Sequence, residues 1–113
     1  MFSHEKLDVY QCSAQWLALS NEIVKALPKG NADLANQLRR ATFSVPLNIA
    51  EGAGKISLLD KKRFYAIARG SALECVAIMD AIEILALCES SNILKAKKLL
   101  YRIVSMLSKL CVK

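Results

Sequence analysis

The chain contains one histidine, His4, close to its N-terminus. With the one histidine so near the terminus, no Ser/His/Asp or Cys/His set is expected to be assembled by the helices, and the Glu-x-x-His pairs of a di-metal carboxylate bundle are missing. There is no glycine-rich phosphate loop. Cys12, Cys75, Cys88 and Cys111 form no C-x-x-C pair, and they read as free thiols used as small apolar side chains. Asn-Gly and Asp-Gly turns are absent and β-branched clusters are few, which argues against strands. Long apolar runs are absent too. Glu74, Asp80 and Glu83 interrupt the stretch from Ser71 to Leu87, far short of the roughly 18–20 apolar residues of a spanning helix. The opening Met1-Phe2-Ser3-His4-Glu5-Lys6 lacks a signal-peptide layout, so no membrane and a cytoplasmic address are expected. These absences predict a protein that is not an enzyme and has no cofactor or metal. Glu51 and Glu74 form the sole candidate acid pair, and salt bridging explains them better than catalysis.

What is present is an apolar, basic, helical chain. Its 113 residues make one domain, 1–113, of which 54% is hydrophobic, and the mean hydropathy is positive. A small protein with so much apolar surface either has an unusually broad core or buries a face against copies of itself; the composition favours self-association. The net charge is +6 and unevenly placed. Residues 1–54 are neutral, and residues 55–69 carry Lys55, Lys61, Lys62, Arg63 and Arg69 against Asp60 alone. Glu74, Asp80, Glu83 and Glu89 have no base between residues 70 and 90; Lys95, Lys97, Lys98, Arg102, Lys109 and Lys113 have no acid between residues 91 and 113.

Punctuation predicts four helices. The first runs from about Ser3 to Leu27 and stops before Pro28-Lys29-Gly30-Asn31. The second covers about Ala32 to Ala53, with Asn31 as N-cap and Gly52 and Gly54 as stop signals. Ser57 and Asp60 open the third, which reaches about Cys88, and the fourth follows Glu89-Ser90-Ser91-Asn92. Short loops between long helices predict an all-α, antiparallel up-down-up-down four-helix bundle.

Two helices are apolar on more than one side. On the third, Phe64, Ala68, Ser71, Cys75, Ile78, Ile82 and Leu85 form the core seam, with a second stripe at Ala66, Gly70, Leu73, Ala77, Ala81 and Ile84. On the first, Leu7, Tyr10, Ala14, Leu17 and Val24 form one stripe, and Val9, Cys12, Trp16, Leu19, Ile23 and Ala26 another. Trp16, Leu19, Ile23, Gly70, Leu73 and Ala77 are the expected subunit interface. The fourth helix sets Ile93, Ala96, Leu100, Ile103, Val104, Leu107, Leu110 and Cys111 against a basic stripe of Lys95, Lys98, Arg102, Lys109 and Lys113. That stripe, helped by Lys61 and Lys62, is either a contact surface for nucleic-acid phosphates or a solvated face. No aromatic is counted in it, so base stacking is not expected.

The most distinctive stretch is Gln37-Leu38-Arg39-Arg40-Ala41-Thr42-Phe43-Ser44-Val45-Pro46-Leu47-Asn48-Ile49-Ala50-Glu51-Gly52. Leu38, Ala41, Val45 and Ile49 keep helical spacing across a proline, which deletes a backbone donor. Arg40, Ser44, Asn48 and Glu51 share a second face. They are expected to meet Ser71 and Glu74 in a structural polar network in which Arg40 neutralises the acids. On that reading, Arg40→Ala costs on the order of 3 kcal/mol.

This stretch, with Phe64, Ile67-Ala68-Arg69-Gly70-Ser71 and Leu73-Glu74, resembles the large-subunit rRNA intervening-sequence protein family of bacterial four helix bundle proteins. The elements Q-L-R-R-A, S-x-P-x-N-I-A-E-G and G-S-x-x-E occur in order; Ala72 stands where relatives often carry leucine. The resemblance implies a left-turning four-helix protomer and a homopentameric ring. It links the chain to proteins encoded within rRNA-gene insertions and to accessory proteins of diversity-generating retroelements, which engage a reverse transcriptase and nucleic acid. It implies no enzymatic activity. The expected partners are the chain itself, RNA or DNA, or a polymerase-type protein for which the ring is a scaffold; a small ligand inside the bundle or ring channel is a further alternative.

Overall fold

The computed structural model describes residues 1–112. A short 3-10 turn, Ser3–Lys6, precedes four α-helices: α1 Asp8–Ala26, α2 Ala32–Ala53, α3 Leu58–Ile84 and α4 Ser90–Val112. No strand occurs among the described residues. Each helix packs on two others, α1 and α3 both on α2 and α4, while the diagonal pairs stay apart. The arrangement fits a four-helix bundle measuring 45 × 22 × 21 Å. One hydrophobic cluster, with Trp16, Leu38, Ile49, Met79, Ile82 and Leu100 fully buried, draws on all four helices.

The helix boundaries follow local chemistry. The Asp60 amide donates to Ser57 Oγ at 3.1 Å, the expected cap of α3. Asn31 holds the expected N-cap position of α2 and its carbonyl accepts the Ala35 amide at 3.0 Å, but its side chain makes no cap bond: its Nδ2 donates to the Pro28 carbonyl at 2.8 Å. The first helix starts later than expected, because the chain between Ser3 and Lys6 winds as a tighter turn and Leu7 is extended.

The end of α3 is a second difference. The helix stops at Ile84, not near Cys88. Ala86 adopts a left-handed φ of 55°, its amide bonds the Glu83 carbonyl, and the Leu87 amide bonds the Ile82 carbonyl, both at 3.0 Å. This is the Schellman arrangement, which usually places glycine at the left-handed position. With alanine there, the stop leaves no mark in the sequence.

Pro46 lies inside α2 and is buried, and the helix continues through it. Its missing N–H removes the usual partner of the Thr42 carbonyl. Gly52 is part of α2, not only a stop: a Cβ there would sit 2.9 Å from the Tyr65 ring and 3.1 Å from Phe64 Cβ. The helices α2 and α3 therefore come together at this point only because residue 52 has no side chain.

The core face of α3 is rotated from the expected seam. Ala68, Cys75, Ile78 and Ile82 are buried as expected, but Tyr65, Ala72 and Met79 complete the face. Phe64 and Ser71 are half-buried, and Leu85 is exposed. On α1, Val9, Cys12, Trp16 and Ile23 turn inward together with Ser13 and Ser20. Those hydroxyls tolerate burial because they donate to the Tyr10 and Leu17 carbonyls, at 2.7 and 3.0 Å.

Candidate nucleic-acid interface and polar network

Helix α4 separates its faces cleanly. Ile93, Ala96, Leu100, Ile103 and Leu107 are buried at alternating three- and four-residue steps. Lys95, Lys98, Arg102 and Lys109 are all exposed. None of the four makes an ion pair among the described residues, whereas Lys97 of the same helix does. Lys97 Nζ lies 2.8 Å from both Asp80 Oδ1 and Glu83 Oε1 on α3, and these carboxylates raise its pKa above the ordinary lysine value. The acidic segment of α3 is thus partly neutralised by one lysine, and the others keep their charge for solvent or a partner. Lys113 lies outside the described residues.

Lys61 does not join this surface as a free charge. Its Nζ donates to the Ala53 carbonyl at 2.8 Å and satisfies the C-terminal end of α2, where a cation is favoured. Lys62 is half-buried and makes no ion pair among the described residues. Near it, Lys55 and Arg63 both stand over the Phe64 ring, 5.0 and 5.5 Å from its centroid.

Sequence reasoning passed over Tyr101. It lies between Lys98 and Arg102 on α4 and is 71% exposed, so an aromatic does accompany the basic stripe. The three-residue step from Lys98 was the available signal.

The polar network is smaller than expected. Ser44 Oγ and Ser71 Oγ are 2.8 Å apart across α2 and α3. Asn48 Nδ2 donates to Ser44 Oγ at 3.0 Å and to the Ser44 carbonyl at 2.7 Å, and the Ser71 hydroxyl reaches the Ile67 carbonyl at 3.1 Å. Asn48 therefore supports the backbone two residues before Pro46. Arg40, Glu51 and Glu74 take no part. Arg40 and Glu74 are exposed and unpaired among the described residues, and Glu51 lies 3.9 Å from Lys55. Solvent already stabilises these charges, so the expected neutralisation of buried acids by Arg40 does not occur.

The gathering of these α2 and α3 motif residues into one patch accompanies a match to a family model over residues 5–109, nearly the whole chain, which is described as the 23S rRNA-intervening sequence protein. The chain belongs to this family. No curated protein matches the sequence. As a member of the intervening-sequence family, the protein combines four helices with the Ser44–Ser71–Asn48 contact beside a helix proline.

Of the expected interface residues, Trp16 and Ile23 are fully buried within the protomer and cannot meet another copy. Two apolar stripes compete on α1, and packing turned theirs inward. Leu19 is half-buried and packs against the core. Gly70, Leu73 and Ala77 are exposed, and a Cβ at Gly70 would touch nothing within 4 Å. On the other side of the molecule, Ala14, Leu17, Ala18, Thr42, Phe43 and Arg39 line a groove of about 450 Å³.

All four cysteines are free. Burial pushes the Cys75 thiol up, only partly offset by its contacts with Thr42 and Trp16; Cys88 and the Tyr65 phenol are also raised by burial. No cluster of His, Cys, Asp or Glu suited to a metal occurs among the described residues, and no described helix is long and apolar enough to cross a membrane.

Proposed function

We propose that this protein is a non-enzymatic homo-oligomer of the cytoplasm that binds RNA or DNA through phosphate contacts on α4. The observation that carries the reading is the contrast within one helix. Lys97 is held by two carboxylates, while Lys95, Lys98, Arg102 and Lys109 stand exposed without one among the described residues. A row of unpaired cations releases counterions on meeting a polyanion, which is the main source of sequence-independent affinity. Tyr101 beside the row adds a flat surface on which a base could stack.

Assembly belongs to the same reading. Phe43, Leu47, Ile67 and Leu73 are exposed on α2 and α3, apolar side chains that a second copy would cover. Residue pairs that descend along one helix as they rise along its neighbour, such as Thr42–Cys75 and Ser44–Ser71, support the antiparallel arrangement. A closed ring, five-membered in the family resemblance, would repeat the α4 stripe and multiply a weak contact by avidity.

The test is binding of mixed-sequence RNA and DNA oligonucleotides across a salt series. Affinity falls steeply with salt, and Lys98→Gln lowers the slope of log K against log salt by about 1. Flat binding, or unchanged binding after charge reversal on α4, rejects the reading. If a bound protein partner then persists, the exposed apolar residues of α2 and α3 favour the second reading, a scaffold for a polymerase-type protein.

A further inference from the structure

Among the described residues, Arg69 of α3 is the one basic residue that the stripe, the salt bridges and the caps do not absorb and that is nevertheless held in place by a hydrogen bond. Its Nε–H donates to Ser108 Oγ on α4 at 2.7 Å, and the Ser108 hydroxyl in turn donates to the Val104 carbonyl at 2.8 Å. The serine hydrogen is committed to the backbone, so its oxygen can only accept, and it orients the guanidinium through Nε alone. No carboxylate among the described residues pairs with Arg69. The half-buried side chain lines a groove of about 330 Å³ with Ala66, Ser108, Cys111 and Val112.

We propose that Arg69, oriented by Ser108, is a phosphate-binding site between α3 and α4, and that it takes a backbone phosphodiester of the nucleic acid. The proposal rests on the nucleic-acid reading above for the source of the phosphate. A guanidinium fixed through Nε presents its Nη amino groups as a fork, which matches two oxygens of a phosphate, and the orientation is set before the ligand arrives. Lys62, of the same sign, lies two helical turns before Arg69 on the same face of α3. Ser108 is a positioning residue, since its hydrogen is not available to the anion. The α4 stripe then supplies diffuse attraction, and Arg69 supplies a fixed point that sets where the strand lies.

Two measurements test this separately from the stripe. In the first, the wild-type protein is titrated with inorganic phosphate while the Arg69 Nε–Hε resonance is followed by NMR. The resonance moves, and Ser108→Ala abolishes the change; a wild-type resonance that phosphate leaves in place overturns the site. In the second, oligonucleotide affinity is compared for wild type, Arg69→Lys and Lys98→Gln, with circular dichroism confirming the fold. Arg69→Lys keeps the charge but loses the fork, so affinity drops about tenfold while the salt slope stays the same. Equal affinity for wild type and Arg69→Lys overturns the proposal and leaves the stripe intact. A phosphate response without any oligonucleotide binding overturns the nucleic-acid source and leaves the anion site standing.

Discussion

Ser44 and Ser71 meet hydroxyl to hydroxyl at 2.8 Å across α2 and α3, with Asn48 bonded to the first and the Ile67 carbonyl to the second. Neutral groups, not charges, carry the polar contact beside Pro46. Ser44→Ala and Asn48→Ala should each cost about 1 kcal/mol, because each leaves a half-buried partner short of a bond. Arg40→Ala and Glu74→Ala should change stability by less than about 0.5 kcal/mol, since both side chains are exposed. Urea melts of the four variants check the ordering, and a loss near 3 kcal/mol at Arg40 restores the ionic network.

Gly52 permits the close approach of α2 to Tyr65 and Phe64. Gly52→Ala gains helix propensity but forces its methyl against a ring and a Cβ atom, which belongs to a neighbouring helix and has little freedom to retreat. The net loss should be on the order of 1 kcal/mol, read as a lower thermal midpoint.

Ala86 occupies a left-handed position that favours glycine. Ala86→Gly removes the Cβ strain while keeping the bonds to Glu83 and Ile82. It should stabilise the protein by about 0.5–1 kcal/mol, despite the greater freedom that glycine has in the unfolded chain. Chemical denaturation of the variant beside the parent decides it.

Stability should decline in alkali. Cys75 and Tyr65 have pKa values raised from 9.0 and 10.0 by burial. Near pH 7, well below both ordinary values, both are protonated in the folded and unfolded chains, so neither contributes a pH dependence there. Above that, the unfolded chain loses the protons first and folding is disfavoured progressively as pH rises through the folded values. Lys97, raised by Asp80 and Glu83, acts in the same direction above about 10.5. Urea melts between pH 7 and 10.5 should show a plateau and then a fall. Alkylation of Cys75 in the native state should be slow, because a raised pKa leaves little thiolate.

Local chemistry was legible in the chain. The four helices, the Ser57 cap, the persistence of α2 through Pro46, the buried face of α4 and its exposed lysines all depend on neighbours within about four residues, and the sequence by itself determined them. Contacts between helices were decided only by the tertiary structure. A one-residue step turns a helix by about 100°, so a small change in rotation selects which of two apolar stripes faces inward. That choice buried Trp16 and Ile23, moved the α3 seam to Tyr65, Ala72 and Met79, and left Arg40 and Glu74 in water. It also separated lysines of identical type: Lys61 caps α2, Lys97 joins Asp80 and Glu83, and Lys98 stays free of ion pairs among the described residues. A lysine's composition and spacing say that it carries charge; only the packing of four helices says whether another group has already claimed it.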